Sequence, residues 1–178
     1  MPIRHKDKPN RKILAVASLG GHWKQLLRIA SPLGADHDIA YVTTHPRAAS
    51  MLPSHATMYV VSDFSRWDVW RLPAVLWRMW RIIGRERPGA ILTTGAAPGL
   101  MAVIAGRLRG VRTIWVDSIA NAAQLSASGR VASYLAHMTF TQWPHLAVEG
   151  RVYYHGNTFG IEEDGDIHTT HTSSAQAQ

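Results

Sequence analysis

Short apolar runs alternate along this chain with longer stretches whose apolar residues recur at helical spacing. The runs predict strands at Lys12–Ser18, Asp38–Thr43, Thr57–Val61, Ala90–Thr94, Arg112–Val116 and Met138–Gln142, with a further one at Arg151–Tyr154. The helical spacing predicts helices over Trp23–Ala30, Arg47–Met51, Pro73–Arg85, Leu100–Leu108 and Gly129–Leu135. Strand and helix in turn imply an α/β, Rossmann-like domain with a mainly parallel sheet spanning residues 12–160. Right-handed crossovers then bring the strand C-termini to one edge, where ligands of such sheets bind. A basic segment, residues 1–11, precedes the domain. From Glu162 the pattern breaks into an acidic stretch and then Thr, Ser, His, Gln and Ala without apolar periodicity, so residues 161–178 are expected to be a disordered polar tail. Its histidines, His168 and His171, could bind metal, but a solvated tail is the better explanation of them.

The stretch from Trp67 to Arg87 has a pattern of its own. At about 100° per residue, Leu72, Leu76, Met79 and Ile83 fall on one side, facing the sheet. Arg71, Arg78, Arg81 and Arg85 fall opposite, and Trp70, Trp77 and Trp80 on the flank between. Pro73 belongs in the first turn, where its missing N–H costs little. Tryptophan beside arginine at the border of an apolar face is the pattern of a helix lying in a membrane interface, with anionic headgroups attracted to the arginines. Trp67, Trp70, Arg71, Trp77, Arg78, Trp80, Arg81 and Arg85 are the candidates. A surface helix whose tryptophans pack on loops or a partner subunit would look the same. Base stacking would use the same residues, but no nucleic-acid motif accompanies them, so no nucleic-acid partner is expected.

Composition narrows the picture. The chain has 178 residues, 46% of them hydrophobic and 17% charged, enough for one domain with a sizeable core. It has no cysteine, which excludes disulfides and thiolate zinc sites; no metal site is expected. A formal net charge of +7 favours an anionic partner, whether nucleic acid, lipid or phosphorylated substrate. No apolar run reaches the roughly 18 residues of a membrane span, and the basic N-terminus lacks the apolar stretch of a signal peptide.

Two glycine loops follow predicted strands and open predicted helices: Ser18-Leu19-Gly20-Gly21-His22 and Thr93-Thr94-Gly95-Ala96-Ala97-Pro98-Gly99. Unpaired N–H groups and the helix dipole make such N-termini anion sites, and two of them flanking one crevice suit a diphosphate. Gly20, Gly21, Gly95 and Gly99 keep the loops open, and Pro98 fits the first turn. Neither loop is a nucleotide-triphosphate P-loop or the G-x-G-x-x-G of dinucleotide enzymes, which removes ATPase and NAD readings. His22 at the crevice mouth could accept a proton from a hydroxyl, donate to a phosphate, or only cap its helix. Asp117, before Ser118 at a strand's end, could orient a sugar, act as a base, or serve as an N-cap. Ser126-Ala127-Ser128-Gly129 offers hydroxyls and N–H groups for an anion or sugar, or an ordinary N-cap. In Gln142-Trp143-Pro144, Pro144 should set a rigid turn and Trp143 should pack.

Taken in order with Tyr153-Tyr154-His155-Gly156, these segments resemble the bacterial exopolysaccharide glycosyltransferase subunits related to the membrane-anchor subunit of the eukaryotic dolichol-linked N-acetylglucosaminyltransferase. The resemblance runs from about Lys12 to Phe159. It implies the N-terminal half of a GT-B glycosyltransferase, similar to the acceptor domain of the lipid II-forming peptidoglycan transferase. That half meets the membrane and a lipid-diphosphate-linked saccharide; the other half, expected on a partner polypeptide, holds the UDP-sugar donor. In the bacterial branch the pair often transfers glucuronic acid from UDP-glucuronate to lipid-linked glucose, inverting to a β-1,4 bond. No metal or other cofactor is implied, because helix dipoles and side chains stabilise the leaving UDP. The eukaryotic members carry a transmembrane helix that this sequence lacks, so anchoring is expected to be peripheral, on the cytoplasmic face of the inner membrane. The family often has Glu before the serine where Asp117 stands, and eukaryotic relatives tend to have Glu where Gln25 stands.

The expected site therefore has His22 and Asp117 as candidate bases, with Gly20, Gly21, His22, Gly95, Pro98, Gly99, Ser118, Ser126, Ser128 and Gly129 around the acceptor diphosphate. The alternative is a non-catalytic membrane scaffold that recruits a catalytically complete partner.

Overall fold

The computed structural model describes residues 11–62, 70 and 72–160. Seven strands form one sheet: β1 (Lys12–Val16), β2 (Asp38–Thr43), β3 (Thr57–Val60), β4 (Ala90–Thr93), β5 (Arg112–Val116), β6 (Met138–Thr141) and β7 (Tyr153–Tyr154). Their order is β3-β2-β1-β4-β5-β6-β7, and every pairing is parallel. Among the described residues four α-helices connect them: α1 (Gly21–Leu33), α2 (Leu72–Glu86), α3 (Ala96–Leu108) and α4 (Ala127–Leu135). The fold is thus the Rossmann-like α/β domain that the pattern predicts.

Alternation along β1 shows how the layers form. Ile13, Ala15 and Ala17 face α1, packing with Trp23, Leu26 and Ala30. Leu14 and Val16 face the other way, against Met79, Ile82 and Ile83 of α2 and Ala102 and Ala105 of α3. α4 lies on that second face too, where Ala132 meets Trp115 and Val103. Gly106 permits the close fit of α3, since a Cβ there would sit 2.5 Å from the Ile91 Cδ1.

Several helices begin earlier than periodicity suggests. α1 starts at Gly21 and α3 at Ala96, directly after their glycines, and α4 starts at Ala127. The sequence pattern misses these first turns because they carry small residues rather than apolar ones. The Arg47–Met51 helix is a 3-10 turn, Pro46–Met51, and the last strand shortens to Tyr153–Tyr154. On α2 the buried residues are Val75, Met79, Ile82 and Ile83, so the core stripe is rotated from the predicted Leu72 toward Val75 and Ile82. Trp67 and Arg71, the basic segment up to Asn10 and the tail from residue 161 lie outside the described residues.

Opposite the site, Lys12 joins Glu86 at 2.6 Å and Asp38 at 3.2 Å, and the Tyr59 hydroxyl donates to Glu86. This cluster ties β1, β2 and β3 to the end of α2.

Candidate functional site

The sheet order reverses between β1 and β4, which pair directly. α1 leaves β1 toward β2, and α3 leaves β4 toward β5, so the two helix N-termini open a crevice at this switch point. Both loops use the same backbone device. Gly20 has φ 117° and ψ −141°, Gly95 has φ 121° and ψ −161°, and each is the residue before its helix. This region is essentially closed to residues with a Cβ. Neither helix receives a side-chain cap, and neither has an acidic residue in its first turn. Their first N–H groups are therefore left for solvent or a ligand. α4 differs: the Ser126 hydroxyl accepts from the Gly129 N–H at 2.8 Å.

His22 joins the two loops. Its Nδ1 lies 2.8 Å from the Thr94 carbonyl, and the Thr94 hydroxyl donates to the His22 carbonyl at 2.7 Å. A carbonyl can only accept, so Nδ1 carries the hydrogen and, in the neutral ring, Nε2 holds the lone pair. The second glycine seats this ring. A Cβ on Gly95 would lie 3.0 Å from His22 Cε1 and 3.1 Å from Nδ1. Gly21 has nothing within 4 Å of where its Cβ would stand and is exposed, so its open face is available to a ligand.

The other second-loop residues point elsewhere. Pro98 and Gly99 are buried, and a Cβ on Gly99 would collide with Thr93, so Gly99 serves the packing of α3 on β4.

Asp117 is 1% exposed. Its Oδ1 accepts from Trp115 Nε1 at 3.2 Å and the Ser126 hydroxyl at 2.6 Å; its Oδ2 accepts from the Ser126 N–H at 2.9 Å and Asn121 Nδ2 at 3.2 Å. A Cβ on Gly129 would stand 2.5 Å from Oδ1, so that glycine lets α4 close over the carboxylate. This carboxylate is occupied by donors on both oxygens, the arrangement of a loop anchor rather than a base. Ser126 is committed with it, and Gly129 faces it. Ser118 on the same loop and Ser128 in the first turn of α4 are half-buried.

Three further residues hold this loop. Gln25, 1% exposed on α1, donates to the Asp117 carbonyl at 2.9 Å and accepts from the Ile119 N–H at 3.3 Å. Trp143 Nε1 donates to the Ile119 carbonyl at 2.9 Å, and His145 Nε2 lies 2.6 Å from the Ala122 carbonyl. The contacts of Thr94, Gln25 and Asn121 are not legible in the sequence, because their partners lie far off or, for Asn121, on a loop without periodicity. Among the described residues no group of His, Asp and Glu is placed to hold a metal ion.

α2 begins at this same edge, following β3. Trp70 is 70% exposed, Trp77 60% and Trp80 37%. Trp70, Trp77 and Arg78 border a cavity of about 380 Å³ with Ser62, Ala74 and Val75. The Arg81 guanidinium lies 4.9 Å from the Trp77 ring, and that of Arg109, from the end of α3, lies 3.9 Å from the Trp80 ring. Arg109 adds a cation that the α2 pattern alone does not show; Gly84 makes room for it, its would-be Cβ lying 2.8 Å from the guanidinium. Arg78, Arg81 and Arg85 are exposed. No described helix is long and apolar enough to cross a membrane.

No family model and no curated protein matches the sequence. Solved structures do match in fold. MurG of Acinetobacter baumannii is similar with a TM-score of 0.68 at 14% identity, covering 81% of this chain and 45% of its own. A glycosyltransferase from Rickettsia africae gives a TM-score of 0.65 at 11% identity, covering 84% of this chain and 43% of its own. A UDP-N-acetylglucosamine 2-epimerase from Rickettsia bellii gives 0.60 at 13% identity, covering 83% and 45%. The chain therefore has the fold of a GT-B N-terminal-type domain and spans less than half the length of these proteins.

Proposed function

We propose that this chain is the acceptor-binding, membrane-associating half of a two-component inverting glycosyltransferase, acting on a lipid-diphosphate-linked saccharide in exopolysaccharide synthesis. The donor, a UDP-sugar such as UDP-glucuronate, is held by a second polypeptide. The observation that carries this reading is the pair of uncapped helix N-termini at the switch point, joined by the His22–Thr94 contacts. The likeness to glycosyltransferases and UDP-sugar epimerases supports the chemistry class.

In this reading the N–H groups after Gly20 and Gly95 bind the acceptor diphosphate, with Gly21 allowing close approach. His22 is the base: Nε2 takes the proton of the acceptor hydroxyl as its oxygen attacks the anomeric carbon, and the bond to UDP breaks on the opposite side. Holding Nδ1–H on a fixed carbonyl keeps the ring in the accepting tautomer. Asp117 positions the 117–126 loop and the start of α4 instead of moving a proton. The α2 face, with Trp70, Trp77, Trp80 and the arginines, docks peripherally on the anionic cytoplasmic leaflet.

The test is transfer of radiolabelled sugar from a panel of UDP-sugars to membrane lipid extract, with the chain alone, the candidate donor-half chain alone, and both. Activity only with both supports the reading. Full activity of the donor-half chain alone would leave this chain a scaffold, and activity of this chain alone would overturn the division of sites.

A further inference from the structure

Beyond the 117–126 loop, on the side away from the crevice, an arginine is held in place with its charge unanswered. After β6 the chain turns back on itself. The Val148 N–H donates to the Val152 carbonyl at 2.9 Å, the Val152 N–H to the Val148 carbonyl at 2.8 Å, and the Arg151 N–H to the Val148 carbonyl at 3.0 Å. This turn fixes the Arg151 backbone, and its guanidinium lies over the Tyr134 ring of α4, 4.6 Å from the ring centre. Packing on an aromatic face leaves the guanidinium edge, where the N–H groups are, open to an acceptor. Yet the Arg151 Nε is buried and has no hydrogen-bond partner. A guanidinium does not shed its proton to escape that cost, so a buried donor of this kind needs an explanation.

Arg130 of α4 lines the same cavity, about 310 Å³ between α4 and residues 145–151. Its Nη1 donates to Gln124 Oε1 at 3.3 Å and to the Leu125 carbonyl at 3.2 Å, which aims the group and leaves its other N–H groups without a partner among the described residues. Neither arginine pairs with a described carboxylate; Glu149, in the same turn as Arg151, is exposed and bridges to neither. Leu125, Leu146 and Ala147 supply apolar wall. One guanidinium fork fills both oxygens of a carboxylate, whereas two forks from two elements match the three or more oxygens of a phosphate. The cavity is larger than a phosphate and reaches the lower bound of about 300 Å³ for small-ligand sites. It has room for the organic group that the phosphate is esterified to.

We infer that the pocket between α4 and the 148–152 turn binds the phosphate group of a phosphate ester, with Arg151 and Arg130 as its two forks. A soluble phosphate ester and a phospholipid headgroup both carry this chemistry. The pocket is separate from the crevice: that lies between β1 and β4, and this lies beyond β5, beside β6. The two are still linked through one wall. Gln124 and Leu125 lead directly into Ser126, whose N–H and hydroxyl hold Asp117. An occupant that grips Arg130 therefore also steadies the loop beside the crevice.

The test titrates glycerol phosphate into the isotope-labelled full chain and follows the arginine Nε–H and backbone N–H resonances. Arg151→Lys and Arg130→Lys each remove one Nε–H signal and so assign it. The expected result is a saturable shift of both signals, with glycerol and acetate leaving them in place. Each lysine variant keeps the charge and loses the fork, and should bind at least about tenfold more weakly. Vesicles of anionic phospholipid that displace glycerol phosphate would name a headgroup as the source, and vesicles that do not would name a soluble ester; both results support the pocket. Arginine signals that stay still while the N–H groups after Gly20 and Gly95 respond would put the phosphate in the crevice and overturn the pocket. An equal response to acetate, or unchanged affinity in both lysine variants, would overturn it as well. Should a variant fail to fold, the wild-type titration decides alone. No readout depends on sugar transfer, so the outcome is independent of the two-component reading.

Discussion

His22 and Thr94 clasp each other across the switch point, the ring Nδ1 on the Thr94 carbonyl at 2.8 Å and the Thr94 hydroxyl on the His22 carbonyl at 2.7 Å. Residues 72 positions apart are thereby fixed as one unit. If His22 is the base, His22→Ala lowers kcat of the assembled enzyme by about 10²–10⁴. Its melting temperature should change little, because the ring is only half-buried. Thr94→Val keeps the carbonyl and loses one hydrogen bond, worth about 1 kcal/mol, so its kcat falls far less. A His22→Ala enzyme within twofold of wild type would end the base assignment.

The glycines separate by role. Gly95→Ala forces a Cβ into a backbone region costing about 1–3 kcal/mol and drives it to 3.0 Å from the His22 ring. It should lose both stability and kcat. Gly21→Ala meets open space and an ordinary backbone, so its melting temperature should hold while the KM for the lipid-linked acceptor rises. Thermal unfolding and acceptor titration of the two variants would check this; equal effects on stability would refute the distinction.

Asp117 gives the opposite signature to His22. Asp117→Asn keeps the shape but turns an accepting oxygen into a donor against Ser126 or Asn121. The expected cost is about 2–4 kcal/mol for buried donors left unpaired. At about 2–4 °C per kcal/mol for a domain of this size, calorimetry should show a clear fall in melting temperature, with activity lost in proportion to folded protein. Gly129→Ala should do much the same, since its Cβ displaces the same carboxylate. A stable Asp117→Asn protein with kcat reduced a thousandfold would return Asp117 to the role of base.

These contrasts show what the sequence could and could not carry. The strands, the parallel sheet and the two glycine loops were legible because apolar runs and glycine breaks are local signals; the order of the strands in the sheet was not. The N-cap Ser126 was legible as a local signal too. The Gln25 clamp on Asp117 and Ile119 was not, since it joins residues more than ninety positions apart through a buried amide. Nor could position alone show that Gly95 and Gly99 face a histidine ring and a threonine instead of open crevice. The rotated core stripe of α2 reflects tertiary packing: Val75 and Ile82 are set by where α2 meets α3 and the sheet, not by an ideal wheel.

The Lys12–Glu86 pair predicts a pH dependence of stability at the edge away from the crevice. Burial tends to raise the Glu86 carboxyl, but hydrogen bonds from Lys12 and Tyr59 outweigh it and hold it below its ordinary value of 4.5. Its contribution is therefore fully present above pH 4.5 and lost as the pH falls through the lower folded value. Lys12 is raised above 10.5 chiefly by its hydrogen bond to Glu86, so its share is present below 10.5 and lost as the pH rises through the folded value. Glu86→Gln should cost about 1 kcal/mol at pH 7. Urea unfolding across the acid range should show the gap to wild type closing once wild-type Glu86 is protonated; a constant gap would deny the linkage.

The exposed face of α2 is the part of the proposal most open to direct measurement. Trp70 and Trp77 are 70% and 60% exposed, so Trp70→Ala with Trp77→Ala should leave the fold intact. If this face meets a membrane, the wild-type chain sediments with vesicles containing anionic phospholipid and less with neutral ones. Each arginine near the surface contributes about 1 kcal/mol, so Arg78→Ala with Arg81→Ala should weaken binding about 30-fold. Salt should weaken wild-type binding as the Debye length shrinks from about 10 Å at 0.1 M, and should affect the arginine variant less. The tryptophan variant should lose the salt-resistant part, which comes from apolar insertion. Binding that ignores lipid charge, or survives both pairs of substitutions, would mean that α2 is not the membrane face. Tryptophan variants that bind vesicles normally but fail to join the donor-half chain would make it a protein interface instead.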